Sequence, residues 1–145
     1  MGIPNETISL KAATAILPYS IVYVVGEFAV SATPLTGNQR TDQVIPIGVT
    51  DGSVSDVNGV YHALVGEPVT LQMEYVVQLR ASNAITAGTM IEATTNGAAL
   101  GRPYPFDTFE NFRYAFYQCL EGCNTGDIFP AIKIGCGIRR PASEA

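Results

Sequence analysis

Few side chains in this sequence of 145 residues could do chemistry, and the single histidine is the first to consider. A hydrolase built on a Ser-His-Asp or Cys-His arrangement would have to use His62. His62 follows Tyr61 in a predicted strand or turn, and nothing near it resembles a nucleophile elbow. We therefore expect His62 to be an ordinary polar residue of the surface or of an interface, and we expect no catalytic residues.

The three cysteines do not have the spacing of a metal site. A structural zinc site needs four ligands, whereas Cys119 and Cys123 are spaced C-x3-C and Cys136 lies far beyond them. We expect reduced, mostly buried thiols, because free cysteine behaves as a small hydrophobic residue. Asp51 and Asp56 flank a short loop but lack the ligand alternation of a calcium loop. The sequence predicts no metal and no cofactor, and it contains no glycine-rich phosphate-binding motif.

Charge is scarce and is not organised for binding nucleic acid. Charged residues make up 14% of the sequence, against about 25% in an average soluble domain. We infer that part of the surface is covered by a partner or by copies of the protein. The net charge is −5 and the basic residues are scattered apart from Arg139-Arg140, so we expect no nucleic-acid partner.

The chain has no segment typical of membrane insertion or secretion. Its longest apolar run, Ile21 to Val25, is far shorter than the roughly 20 residues that cross a bilayer. Residues 1–6 lack the basic start and the apolar core of a secretory signal. We therefore expect a soluble protein that is made in a cytoplasm and has no membrane partner.

Short strands are the elements that must position these side chains. Turn dipeptides such as Asn58-Gly59 and Asn96-Gly97 separate short apolar or alternating runs, which is typical of an all-β domain. The predicted strands are Ile21 to Val30, Val44 to Val49, Val60 to Leu64, Val69 to Met73, Tyr75 to Arg80, Thr89 to Thr94, Arg113 to Leu120 and Ile128 to Ile134. The alanines between Leu10 and Leu17 favour a helical turn, which Pro18 would end.

The domain organisation follows from the two ends of the chain and from an internal similarity. We predict an N-terminal arm over residues 1–11, one β-rich body over residues 12–138 and a C-terminal tail over residues 139–145. Ala15 to Val22 can be aligned with Ala84 to Ile91, and both lead into a strand. Val65 to Leu71 and Thr125 to Ala131 each contain a Gly-acid turn before a further strand. This order predicts two related β units, residues 12–79 and 80–138, that share one core.

Aromatic residues are densest between Tyr104 and Tyr117. A helical turn is predicted at Asp107 to Asn111, followed by the strand that begins at Arg113. Packing in the core is the expectation for the aromatic residues of that strand, whereas the proline-framed loop around Tyr104 suits either core packing or contact with a partner. The candidate interface residues are Ile3, Ile8, Tyr104, Phe106 and Phe109.

The order of turns and strand starts resembles that of the small head-decoration, or capsid cement, proteins of tailed bacteriophages. The matching segments are Ile47 to Asp51, Val65 to Leu79, Ala84 to Ile91, Asn96-Gly97 and Gly126 to Ile128. The resemblance covers roughly residues 12 to 138. Glu74-Tyr75 stands where that family often has glycine, and Thr89 stands where it often has aspartate.

The resemblance implies a non-enzymatic structural virion protein. Its expected fold is a small β-barrel or β-sandwich, β-tulip-like, built from two related units with an N-terminal arm. Members of the family are often trimeric and sit on the outer surface of the icosahedral head, where they bridge major capsid subunits and stabilise the shell. The expected partners are thus the major capsid protein and further copies of this chain. The alternative is a carbohydrate- or host-surface-binding β module, in which exposed aromatic rings between Tyr104 and Phe109 would stack on sugars.

Overall fold

The computed structural model describes residues 9–33, 46–94, 96–102 and 113–139. All regular structure in this part of the chain is β-strand, so the predicted all-β class is confirmed. The strands are β1 Leu10–Ala12, β2 Ile21–Gly26, β3 Ala29–Ser31, β4 Gly48–Val49, β5 Pro68–Val69, β6 Val76–Arg80, β7 Met90–Ala93, β8 Ala99–Arg102, β9 Arg113–Cys119 and β10 Ile128–Arg139. Within the described ranges no helix is long and apolar enough to span a membrane.

The strands form two five-stranded sheets, and each sheet curls so that its two edge strands come together. The first sheet has the order β4-β2-β3-β1-β5 and the second has the order β6-β10-β9-β7-β8. A bridge between Thr50 and Leu71 joins the end of β4 to the end of β5. A parallel bridge between Ala81 and Ala99 likewise joins β6 to β8. This architecture agrees with the small β-barrel or sandwich that the sequence predicts.

The two sheets use the same pairing register. Several pairs of the first sheet recur in the second with both residue numbers raised by 69. They are Ile21↔Val49, Val24↔Val30 and Ala12↔Val30, which recur as Met90↔Gln118, Ala93↔Ala99 and Ala81↔Ala99. A residue of β5 has its counterpart in β10 at a number raised by 60 instead of 69. The pair Leu10↔Val69 thus recurs as Leu79↔Phe129. The nine additional residues of the first half lie between Thr50 and Ala63, since Ile16↔Ala63 recurs as Ile85↔Cys123.

The Gly-acid turns before β5 and β10 have the same construction. Gly66 and Gly126 have φ values of 85° and 87°, a left-handed conformation that disfavours residues with a side chain. The acid that follows each glycine caps the turn by accepting a hydrogen bond from a backbone N–H three residues earlier. The two bonds run from Leu64 N to Glu67 Oε1 at 2.7 Å and from Asn124 N to Asp127 Oδ2 at 2.9 Å.

The apolar core has a large part shared by both sheets and a small part inside the first sheet. Ile21, Tyr23 and Val49 of the first sheet pack into the same buried cluster as residues of the second sheet. The small part consists of Ala12, Ile16, Val22, Val30, Ala63 and Val69, with Leu10 and Leu71 partly buried against it. The shared cluster joins the two sheets into one body.

Several expected elements differ from those observed. The helical turn predicted between Leu10 and Leu17 is wrong, because Leu10–Ala12 forms β1 and pairs with strands on both sides. Tertiary pairing overrides the weak helical preference of alanine there. Leu10 and Lys11 therefore lie in a sheet, although the sequence placed them in the N-terminal arm, and Arg139, placed in the tail, ends β10.

Two predicted strands are also different in the structure. The run from Ile21 to Val30 is divided by a turn at Glu27-Phe28 into β2 and β3. The run from Val60 to Leu64 is a loop that contributes only the single bridge at Ala63. The strand predicted to begin at Arg113 is confirmed as β9, whereas the helical turn predicted at residues 107–111 lies outside the described residues.

Candidate interaction surface

The single histidine is buried, so the expectation that His62 lies on the surface or at an interface is wrong. Its side chain is 3% exposed and bonds to Ser53, which lies in the loop over residues 51–62 that contains the additional residues of the first half. Nδ1 donates a hydrogen bond to the carbonyl oxygen of Ser53 at 2.8 Å, and Nε2 accepts one from Thr70 N at 3.0 Å. Both ring nitrogens are thus used to attach the loop to Thr70, directly after β5.

The polar groups around His62 do not have the geometry of a catalytic triad. Ser53 Oγ and Asp51 Oδ1 each lie 3.3 Å from Nδ1 of His62. A triad needs the nucleophile and the acid on opposite ring nitrogens, so that the ring can accept a proton from one and be oriented by the other. Here both groups are on the same nitrogen, and the other nitrogen is occupied by a backbone N–H. The cluster is therefore a structural support for the loop.

The thiols and acids do not assemble a metal site within the described residues. No group of three or more His, Cys, Asp or Glu side chains in this part of the chain could hold a metal ion. Cys119 is buried and Cys123 is partly buried, and both are free thiols. Burial raises the pKa of each thiol, which favours the neutral, less reactive form. The side chain of Cys136 lies outside the described residues.

A groove of about 700 Å³ is lined by residues of both sheets. The side chain of Gln72 lies in the wall of this groove and forms hydrogen bonds with backbone groups of both sheets. Its Nε2 donates to the carbonyl oxygens of Thr50 and Gln78 at 2.9 and 2.8 Å, and its Oε1 accepts from Gln78 N at 2.8 Å. One amide side chain thus links the end of β4 to the outer edge of β6.

Apolar side chains are exposed at the mouth of this groove. Met73 and Tyr75 are 88% and 77% exposed, and Ile47 and Ile134 are exposed to a lesser degree. Large exposed apolar groups that lie together are typical of interaction sites. We call Ile47, Met73, Tyr75 and Ile134 the groove surface. Sequence reasoning did not select it, although Glu74-Tyr75 departs from the glycine that the resemblance leads one to expect.

The buried Tyr117 and the half-buried Arg80 lie close to the junction of the sheets. Burial raises the pKa of Tyr117, which forms part of the groove wall, to about 12. Burial also lowers the pKa of Arg80, whose Nη2 donates to Ser20 Oγ at 3.2 Å. The phenol of Tyr117 is therefore neutral near pH 7, and the groove wall at that position carries no charge.

A second exposed apolar region lies in the loop over residues 51–62. Val54, Val57 and Val60 are exposed there, and Val57 is 99% exposed. Ser55 Oγ donates to Glu67 Oε1 at 2.7 Å and ties the loop to the turn before β5. That bond and the backbone N–H of Leu64 lower the pKa of Glu67, the backbone bond having the larger effect.

The candidate interface residues chosen from the sequence lie outside the described residues. They are Ile3, Ile8, Tyr104, Phe106 and Phe109. Their role in contacts therefore stays a prediction.

Comparison with known proteins gives a relation at the level of the fold. No protein family matches the sequence, and no curated protein matches it. A crystal structure of the N base of head fiber gp8.5 in bacteriophage phi29 matches with a TM-score of 0.58 and 17% sequence identity. The match covers 86% of this chain and 90% of that chain. The two proteins share a fold. This result agrees with the resemblance to proteins of the phage head found in the sequence.

Proposed function

We propose that this protein is a non-enzymatic structural component of a phage virion. It sits on the outer surface of the icosahedral head and stabilises the shell by bridging major capsid subunits. The observation that carries the proposal is the fold shared with the phi29 head fiber base over 86% of the chain. The arrangement around His62, which supports a loop and has no triad geometry, favours a structural role over hydrolysis.

The groove surface is the proposed contact with the capsid. Met73 and Tyr75 expose large apolar side chains. Charged residues make up only 14% of the sequence, which also favours a surface that a partner covers. Covering Met73 and Tyr75 against a neighbouring subunit would remove apolar area from water, at roughly 25 cal/mol per Å². Many copies that each bridge two subunits would stabilise the shell through multivalency, even if each contact is weak.

The proposed assembly is a homotrimer made from chains with two related β units. The repeated pairing register supports two units, but it places β6 in the second unit and not in the first, since Leu79 of β6 is the counterpart of Leu10 of β1. An arm that ends before β1 and a tail that begins after β10 flank this body. The partners are the major capsid protein and copies of the chain, with no part for nucleic acid or membrane.

Binding to capsids is the direct test of this proposal. Purified protein is mixed with expanded, DNA-free heads of the phage that encodes it, and bound protein is measured by co-sedimentation and cryo-electron microscopy. We expect saturable binding on the outside of the shell and a trimer in analytical ultracentrifugation. A monomer that does not bind capsids would contradict the proposal.

The alternative of a carbohydrate- or host-surface-binding module makes a different prediction. It requires glycan binding that Tyr104→Ala and Phe106→Ala abolish without changing the oligomeric state. If such binding were found and capsid binding were absent, the alternative would replace the virion role.

A further inference from the structure

The two hydrogen-bond partners of His62 hold its ring in one neutral tautomer. The carbonyl oxygen of Ser53 only accepts hydrogen bonds, so Nδ1, at 2.8 Å from it, carries a proton. The backbone N–H of Thr70 only donates, so Nε2, at 3.0 Å from that nitrogen, carries none. The buried ring is therefore uncharged when both bonds are formed.

The loop that this ring supports has no equivalent in the second half. The counterpart of Ala63 is Cys123, and the residue before Cys123 is Gly122, which has no side chain to form such bonds. The supported loop carries the exposed valines at positions 54, 57 and 60. His62 is thus a support for the additional loop and for the exposed apolar region on it.

A proton on Nε2 is incompatible with this arrangement. The ring N–H and the N–H of Thr70 would then be two donors directed at each other 3.0 Å apart, and their hydrogen bond would be lost. The bond from Nδ1 to Ser53 does not compensate, because Nδ1 already carries its proton. Histidine is the side chain whose ordinary protonation range lies near neutral pH.

One neighbouring acid opposes this effect. Among the described residues, the titratable groups of the elements packed around His62 are three acids, two phenols and one amine: Asp51, Asp56, Glu67, Tyr19, Tyr61 and Lys11. Asp51 Oδ1 lies 3.3 Å from Nδ1 and favours a charged ring. The side chain of Asp51 is 35% exposed, and an ion pair that water reaches contributes little. Loss of a buried hydrogen bond together with burial of a charge is the larger effect.

We propose that His62 makes the attachment of the loop over residues 51–62 sensitive to acid. In neutral solution the ring connects Ser53 to Thr70 and fixes the position of the exposed valines. Protonation of Nε2 breaks the bond to Thr70, and the loop separates there while the bond between Ser55 and Glu67 remains. This change in the second exposed apolar region is independent of the proposed virion role.

The direction of the pH dependence follows from which state binds the proton. The attached state holds His62 neutral, whereas the separated state exposes the ring and takes up a proton below about pH 6.5, the ordinary value for histidine. The attached state is therefore fully favoured above about pH 6.5. Below it, the ratio of separated to attached molecules rises by up to about tenfold per pH unit, because one proton is bound.

Amide hydrogen exchange of Thr70 at pH 7 and pH 5 tests this proposal, with each rate divided by the intrinsic rate at the same pH. Protection of Thr70 should fall at least about tenfold between these values. The amide of Leu64, which donates to Glu67 Oε1, is the control. Its protection should not change over this range, because its own hydrogen bond holds the pKa of Glu67 below the usual value.

His62→Gln should remove the pH dependence of Thr70 protection, since an amide side chain does not titrate between pH 7 and pH 5. Nitrogen NMR of the wild-type ring keeps the test informative if that variant does not fold. The ring should carry a proton on Nδ1 alone at pH 7, and the imidazolium should appear in step with the loss of Thr70 protection. An imidazolium that forms while Thr70 stays protected would overturn the proposal, as would protection that is unchanged at pH 5 or falls equally in His62→Gln.

Discussion

At Gly97 the two sheets are too close for a side chain. The residue has a φ of 83°, and its carbonyl accepts a hydrogen bond from Ile21 N at 2.8 Å. An added Cβ would lie 2.8 Å from the backbone oxygen of Ile21 and 3.0 Å from the Cβ atoms of Ser20 and Ala32. The Asn96-Gly97 turn was predicted from the dipeptide alone, but the contact with the other sheet could not be, because it depends on tertiary packing.

We therefore predict that Gly97→Ala is more destabilising than an alanine at another left-handed glycine. Gly88 has a φ of 89° with open space around it, so Gly88→Ala isolates the conformational cost of about 1 kcal/mol. Gly97→Ala should cost about 2 to 4 kcal/mol because backbone must also move. Chemical denaturation of both variants measures the difference, and equal costs would contradict the close packing of the two sheets at Gly97.

The buried phenol of Tyr117 makes stability depend on alkaline pH. Burial raises its folded-state pKa to about 12, above the value near 10 expected in the unfolded chain. The neutral phenol therefore stabilises the fold fully below about pH 10, and this contribution of roughly 3 kcal/mol is lost as the pH rises through about 12. Tyr117→Phe should reduce the loss of unfolding free energy between about pH 9 and about pH 12.

The control for this experiment is Tyr75→Phe, since the side chain of Tyr75 is 77% exposed. That variant should keep the wild-type dependence on alkaline pH. If Tyr117→Phe kept it too, the phenol would not be the group responsible.

At the scale of single elements, the sequence predicted the strands that have a clear boundary and a clear pattern. β6, β7 and β9 lie within or coincide closely with predicted runs, because turns bound them and apolar residues alternate or cluster. β1 was missed because Leu10–Ala12 is short, opens an alanine-rich run and becomes a strand only by pairing with β3 and β5. The groove surface was missed for a related reason, since its residues come together only when both sheets have formed.

The turn between β2 and β3 carries a local strain that can be tested. Phe28 adopts a φ of 52°, a left-handed conformation that costs residues with a side chain about 1 kcal/mol, and its side chain is 53% exposed. Phe28→Gly should therefore be more stable than Phe28→Ala by about 1 kcal/mol, because both remove the ring but only glycine relieves the strain. Thermal unfolding of the two variants measures this, and a more stable alanine variant would refute it.

At the scale of the whole molecule, the side chain of Gln72 connects the two sheets by three hydrogen bonds. Gln72→Glu keeps the shape but replaces the donor by a carboxylate that faces the carbonyl oxygens of Thr50 and Gln78. We expect a loss of about 2 to 4 kcal/mol in the free energy of unfolding. Gln78→Glu is the matched control, because Gln78 enters this network only through its backbone, and it should cost much less.

The proposed contact with the capsid can be tested separately from the stability of the fold. Met73→Lys combined with Tyr75→Lys places two charges on the groove surface and should weaken capsid binding at least about tenfold, since desolvating charge opposes association. The melting temperature should change little because both side chains are exposed. Val57→Lys, in the other exposed apolar region, is the control, and a larger loss of binding in that variant would place the contact on the loop over residues 51–62.

The bridges that join the ends of each sheet also bear on how the protein behaves when it is abundant. An open sheet edge presents a row of free backbone groups and can add a strand from another molecule, which leads to aggregation. Thr50↔Leu71 and Ala81↔Ala99 shorten the edges on which such growth could start. The protein should therefore remain dispersed at high concentration.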